Sequence, residues 1–263
     1  MISLIIPTYR NPEYLDICLR SAVGGRVVDS TEILVVVDGY VQESQPILDK
    51  YKDKIKILPL EQNQGMQMAL NLGVFNAVNE NIMIINDDNV LCAGWDSIWK
   101  DVKEGEVITI NQIEPTGPGI FNFPVKDFGK NPQEFQYEEF MEYESSFSSN
   151  KVTEDGGIFP FVLKKNAYMM VGGFDTLYQS PFICDWDFFL KLELAGQKFK
   201  RSHEYHFYHF GSTATKNGKE GDKFKATEGP AAQTYIYKWG TPPQLFENNS
   251  HRPKGKTIKG ITF

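Results

Sequence analysis

Cysteine is scarce in this chain: Cys18, Cys92 and Cys184 stand far apart, and no Cys-x-x-Cys pair occurs. That spacing speaks against a disulfide framework and a zinc ribbon, so the three thiols read as reduced packing residues. Long apolar runs are missing too. No stretch approaches the ~20 residues that a membrane-spanning helix needs, and MISLIIPTYR lacks the charged start and extended apolar core of a secretion signal. A soluble, cytoplasmic protein without a transmembrane segment is expected. There is also no surplus of basic residues. Lys and Arg number 27 against 34 Asp and Glu, a formal net charge of −7, which argues against a nucleic-acid partner. Histidine occurs four times. His203, His206 and His209 lie close together, but no cysteine stands near to complete a tetrahedral zinc site. Internal repeats and low-complexity blocks are absent, and nothing in the sequence speaks to oligomeric state.

What is present is alternation. SLIIP (3–7), EILVVVD (32–38), KIKILPL (54–60) and NIMIIND (81–87) are short apolar runs separated by helical patterns. One helix carries Tyr14, Leu15, Cys18, Leu19 and Ala22 at helical spacing, and another places Met66, Leu70, Val74 and Ala77 on one face. Near-continuous β-branched strands separated by helices predict an α/β fold with a mainly parallel central sheet covered on both faces. Such sheets bind ligands outside the carboxyl ends of their strands. The polar segments there are Pro7-Thr8-Tyr9-Arg10, Asp38-Gly39 and Asn86-Asp87-Asp88-Asn89.

From 112 to 155 periodicity is poor, and long loops are expected with a short helix near 133–143. Regularity returns in IFPFVLKKNAYMMVGGFD, read as a strand and short helix, and in DWDFFLKLELAG, read as a helix over 185–196 stopped by Gly196. Residues 241–263 lack a core pattern and read as an arm or tail.

The pair Asp87-Asp88 has two readings. Adjacent carboxylates repel, which a divalent cation held by one or two of them together with substrate phosphates would relieve. Alternatively, they form a polar turn bonding local backbone. Asp38-Gly39 alone is compatible with a simple turn.

Taken together, PTYR, VVVDGY, NQGMQMALNLG, NDDN, VGGFD, DWDFFLKLELAG and HFGST resemble, in order and approximate spacing, the family-2 glycosyltransferases of the Rossmann-like GT-A fold. The resemblance covers about residues 1–240. It implies a single domain over 1–240, with a nucleotide-sugar-binding half (1–111) and an acceptor half (112–240). It also implies transfer from a nucleotide-diphosphate sugar, most readily a UDP-sugar, to an acceptor hydroxyl with inversion.

By that resemblance Pro7, Thr8, Tyr9 and Asp38 line the nucleoside. Asn63, Gly65, Ala69, Asn71 and Gly73 match a helix start beside the nucleotide, with helix packing as the other reading of Asn71 and Gly73. The metal motif falls on Asn86, Asp87 and Asp88, of which Asn86 and Asp87 are expected to bind the nucleotide-sugar. Asp88 is the expected ligand of Mn2+ or Mg2+, with His209 as a second, and Asn86 replaces an aspartate. Asp185 matches the catalytic base, while Cys184 stands where a glutamate is usual. Asp187 reads as a first-turn acid favouring the helix dipole. Trp186 and Gly173 are expected on the acceptor side, Asp175 as a turn residue, and Lys223 and Lys238 either near the diphosphate or on the surface. Two rival readings are a nucleotidyltransferase, disfavoured by the lack of a Gly-rich basic loop after the first strand, and a degenerate binding module that has lost turnover, suggested by Asn86 and Cys184.

Overall fold

The structure is a computed structural model. It describes residues 1–116, 123–147, 151–211 and 220–243, together with short strands at 257–258 and 261–262.

The first half alternates as its sequence pattern predicts: β1 (Ile2–Thr8), α1 (Pro12–Gly25), β2 (Glu32–Asp38), α2 (Val41–Tyr51), β3 (Lys56–Leu60), α3 (Met66–Asn76) and β4 (Asn81–Ile84). β1, β2 and β4 are almost wholly buried because both faces are covered, whereas β3, at the sheet edge, is partly exposed. Leu4 and Ile6 pack into one core with Ile33, Val35 and Met83, whereas Ile5, Leu34, Ile82 and Ile84 face the other. Period-two alternation thus feeds two cores rather than one core and solvent.

The chain continues with β5 (Asn89–Val90), β6 (Glu106–Ile113), α4 (Tyr137–Ser145), β7 (Val152–Thr153), β8 (Phe161–Lys164), α5 (Lys165–Met170), α6 (Cys184–Leu194), β9 (Lys198–His209), α7 (Gly221–Lys225) and α8 (Glu228–Trp239). The expected helix near 133–143 begins four residues later. The expected 185–196 helix ends at Leu194, with Gly196 in the left-handed region at φ +82°. Most of the proposed tail lies outside the described residues; within it β10 (Thr257–Ile258) pairs antiparallel with β11 (Ile261–Thr262).

The main sheet runs β3-β2-β1-β4-β8-β6-β9-β5, with β7 on β9. The pairs β1/β2, β1/β4, β2/β3 and β6/β9 are parallel. Because β8 is antiparallel to both β4 and β6, those two strands point the same way. The carboxyl ends of β1, β2, β4, β6 and β9 therefore open on one rim. The boundary at 111/112 falls inside β6, so the sheet is continuous across the two proposed halves. Gly73 is required by packing: a Cβ there would lie 2.5 Å from Ile5 and 3.1 Å from Val36. That contact lets α3 lie close on the sheet. No helix among the described residues is long and apolar enough to cross a membrane.

Candidate active site

A cleft of about 1000 Å³ opens along that rim. Its lining includes Pro7, Thr8 and Tyr9 at the end of β1, Asp38 at the end of β2, Asn86, Asp87 and Asp88 after β4, Glu114 after β6 and His209 at the end of β9. The opposite wall is the loop 176–183 with Asp185 and Trp186 at the start of α6.

One end of the cleft is organised by Asp38. This buried carboxylate accepts hydrogen bonds from the Asn63 amide at 2.8 Å and from the backbone N–H groups of Gln64 at 2.6 Å and Gly65 at 2.9 Å. Burial raises its pKa, and the backbone donors oppose the rise. The effect is to pin residues 63–65, so that α3 starts at Met66 with Gly65 through Ala69 on the cleft. First-turn N–H groups have no partner within the helix and favour an anion. The Tyr9 ring meets Tyr40 at 5.8 Å and Phe224 at 6.0 Å, and its hydroxyl donates to Glu220 at 3.1 Å. Burial and then the Glu220 carboxylate push this phenol up to about 12.

The Asn86–Asn89 run is divided by its bonds. Asp87 accepts from the Thr8 hydroxyl at 2.7 Å and the Asn11 amide at 3.1 Å. Burial, and next the neighbouring Asp88, raise its pKa to about 7. Asp88 is placed by the sheet. Asn89 is the register partner of His209, and Phe210 N–H donates to the Asp88 carbonyl at 3.2 Å. His209 Nε2 consequently lies 3.7 Å from Asp88 Oδ2, with Nδ1 3.0 Å from Glu114 Oε1. A proton on Nδ1 donated to Glu114 fixes the tautomer whose Nε2 lone pair faces the carboxylate. An oxygen and a nitrogen donor converging at that separation fit a shared divalent cation. Among the described residues no group of three or more His, Cys, Asp or Glu side chains is placed to hold a metal.

At the wall, Asp185 is half-buried beside the cleft, and Trp186 N–H donates to its Oδ1 at 3.0 Å. Burial raises its pKa to about 6, and the backbone donors counter part of the rise. Ile183, immediately before α6, has φ +69°, an uncommon conformation for a β-branched residue. The 176–183 loop is held from three sides. Gln67 donates to the Ser180 carbonyl, Thr227 donates to the Ser180 hydroxyl at 2.7 Å, and the Tyr178 hydroxyl donates to Asp187 at 3.2 Å.

Several expectations require correction. Asn71 does not line the cleft. Its amide donates to the Phe174 carbonyl at 2.8 Å, and its oxygen accepts from Tyr168 at 2.6 Å and Phe174 N–H at 2.9 Å, so it clamps the glycine turn. Gly173 does not line the cleft either. It sits under that clamp at φ +65°, where a Cβ would lie 2.4 Å from Asn71 Oδ1. Lys238 is engaged by Asp175 at 2.6 Å and Asp187 at 2.8 Å, and Lys223 by Glu220 at 2.9 Å; neither lines the cleft.

Asp187 is more than a dipole partner: fully buried, it accepts from Lys238, Trp239 and Tyr178 and fastens α8 to α6. Cys184 is fully buried in the core. His203 and His206 share Asn111, at 3.4 and 3.1 Å, outside the cleft. Burial pushes His206 down to about 4. Pro7, Thr8, Tyr9, Asp38, Asn63, Gly65, Asn86, Asp87, Asp88, His209, Asp185 and Trp186 do converge on the cleft.

Sequence reasoning missed Glu114, Tyr178, Phe224 and Glu228. Glu114 had no local signal, since its contact with His209 exists only because β6 and β9 are parallel neighbours.

The sequence profile described as glycosyl transferase family 2 matches residues 3–146. Among curated relatives, glycosyltransferase GlyG of Streptococcus pneumoniae is 25% identical over 137 residues, covering 49% of this chain and 45% of that protein. An uncharacterized glycosyltransferase of Haemophilus influenzae is 23% identical over 203 residues, covering 73% and 62%. The chain therefore spans less than two thirds of either relative. Among solved structures, S. aureus TarS 1–349 in complex with UDP has a TM-score of 0.57 at 17% identity, covering 79% of this chain and 60% of that one. GalNAc-T7 with UDP, GalNAc and Mn2+ has a TM-score of 0.57 at 14% identity, covering 80% and 43%. These likenesses are of fold: the mixed α/β GT-A arrangement.

Proposed function

Since the chain belongs to glycosyl transferase family 2, we propose that it moves a sugar from a nucleotide-diphosphate donor, a UDP-sugar, to an acceptor hydroxyl with inversion at the anomeric carbon. The observation that carries this reading is the meeting, in one cleft, of the strand-end residues with a carboxylate raised to about 6 on the facing wall. A base with a pKa near the working pH is ionised there yet still basic enough to accept a proton.

The nucleoside is received between Tyr9, Asp38 and the pinned residues 63–65, and the diphosphate meets the first turn of α3. Asp88 and His209 would hold a Mn2+ or Mg2+ ion, whose chemistry is to neutralise the charge of the leaving diphosphate. Glu114 orients His209 for that task. Asp185 takes the proton of the acceptor hydroxyl as its oxygen attacks the anomeric carbon from the face opposite the diphosphate. Trp186 offers a ring face on the acceptor side. UDP, present in both solved relatives named above, is the nucleotide this reading favours.

The test is a thermal-shift panel of UDP, GDP, dTDP and CMP sugars with and without Mn2+, followed by measurement of UDP release. A ligand that binds only the folded state raises its stability. Stabilisation by UDP-sugar that depends on Mn2+ is expected; a flat panel would favour a module without donor binding.

A further inference from the structure

Gln67, in the first turn of α3, lines the cleft yet is only 2% exposed. Its bonds explain that burial. The side-chain amide donates to the carbonyl of Ser180 on the opposite wall, and it is hydrogen-bonded to the Cys184 side chain as well. One amide thus ties the start of α3 to both ends of the segment 180–184, and Asp185 is the next residue.

That segment has little freedom of its own. The ring of Pro181 fixes one backbone dihedral, Ile183 stands at φ +69°, and Asp187 N–H donates to the Ile183 carbonyl at 3.1 Å, which starts α6. Ser180 is itself buried, and its hydroxyl accepts from Phe182 N–H at 3.1 Å. A stiff segment carries a shift at one end to the other, so the tether at Ser180 and Cys184 sets where the Asp185 carboxylate stands relative to α3. The first turn of that helix is also where the diphosphate is received in the reading above. We propose that Gln67 is a positioning residue: by fastening the Ser180–Cys184 segment to α3, it holds the base Asp185 in register with the donor. This rests on the glycosyl-transfer reading, in which Asp185 is the base.

The experiment compares the full native chain with Gln67→Met, which keeps the length of the side chain and removes its donor. UDP release is followed from UDP-glucose and UDP-N-acetylglucosamine with Mn2+, with water and methyl glucoside as acceptors, and UDP affinity is measured by calorimetry. In Gln67→Met kcat should fall by about 10- to 100-fold, the scale of a misplaced reacting group, with UDP affinity kept within about threefold. In the Asp185→Asn background the same change should cost less than about a further twofold, because residues that act as a unit are not additive. A role in stability alone would lower the melting temperature and leave kcat intact below it. Where Gln67→Met does not fold, Gln67→Asn, whose amide is one methylene too short for Ser180, makes the same test. Native kcat in a folded variant, a loss of UDP affinity that matches the loss of rate, or full additivity with Asp185→Asn would each overturn the proposal. A native chain that neither binds nor releases UDP would bring down the glycosyl-transfer reading itself, and the proposal with it.

Discussion

Thr8 donates a 2.7 Å hydrogen bond to Asp87, joining the end of β1 to the segment after β4. That bond, with the one from Asn11, turns Asp87 inward and separates its task from that of Asp88, which faces His209 across 3.7 Å. Two adjacent acids in one sequence motif therefore have different surroundings. Asp87→Ala should lower stability by about 1–3 kcal/mol, since it strips the buried Thr8 hydroxyl and the half-buried Asn11 amide of their acceptor. Asp88→Ala should leave the melting temperature much less affected but remove Mn2+-dependent UDP binding. Calorimetric titration of UDP with and without Mn2+ decides this; metal-dependent binding retained in Asp88→Ala would take that residue out of the site.

Asp185→Asn keeps the shape of the side chain and removes the base. Transfer should fall by about 10²–10⁴-fold, with UDP affinity unchanged. Turnover within threefold of the native rate would sink the assignment.

The pH dependence has a defined sign. Burial raises Asp185 to about 6, so lowering the pH through that value protonates the base. Transfer kcat/KM should show an acid limb near pH 6 and a plateau above it, and Asp185→Asn should lack this limb. A native profile flat from pH 5 to 8 would contradict the role.

Glu144 on α4 is buried, and its pKa is raised to about 7, chiefly by burial, although His206 N–H and Cys92 oppose the rise. An unfolded chain loses this proton near pH 4.3. Between that pH and about 7 the folded state holds a proton that the unfolded state has released. Stability from this group is thus present at low pH and lost as pH rises through 7. Glu144→Gln should be stabilised relative to the native chain by up to about 3 kcal/mol more at pH 8 than at pH 4.5. Urea midpoints at the two pH values measure it; a difference that does not grow with pH would refute the shift.

Asn71 makes three hydrogen bonds to Tyr168 and Phe174. Asn71→Ala should destabilise by about 2–4 kcal/mol, because buried donors and acceptors lose partners. UDP affinity should stay within a few-fold. Loss of UDP binding in a variant that remains folded would restore Asn71 to the nucleotide site.

The parallel half of the sheet was readable in the sequence because β1, β2 and β4 are buried on both faces and so are mostly apolar. The strand-end polar clusters were readable for a related reason: polar groups directly after a buried strand stand at the sheet rim. Asn71 and Gly73 were less readable, because a residue on the first turns of a helix can face a ligand or a neighbour. At Asn71 the neighbour is a turn more than 100 residues away, and at Gly73 it is Ile5. The long β9, with its register shift against β6 between Ile110 and Asn111, has no clean alternation and was read only as a cluster of histidines.

By itself, the sequence determined that there would be an α/β sheet and which strand ends would be polar, since these follow from local pattern and residue type; Asp88 and Asp185 were singled out by the resemblance to the family. Tertiary structure decided the rest. It set Glu114 behind His209, turned Asp87 toward Thr8, buried Cys184, and tied Lys238 to Asp175 and Asp187 outside the cleft. Those outcomes depend on which strands pair and which helices dock, contacts between residues up to about a hundred positions apart that no local pattern encodes.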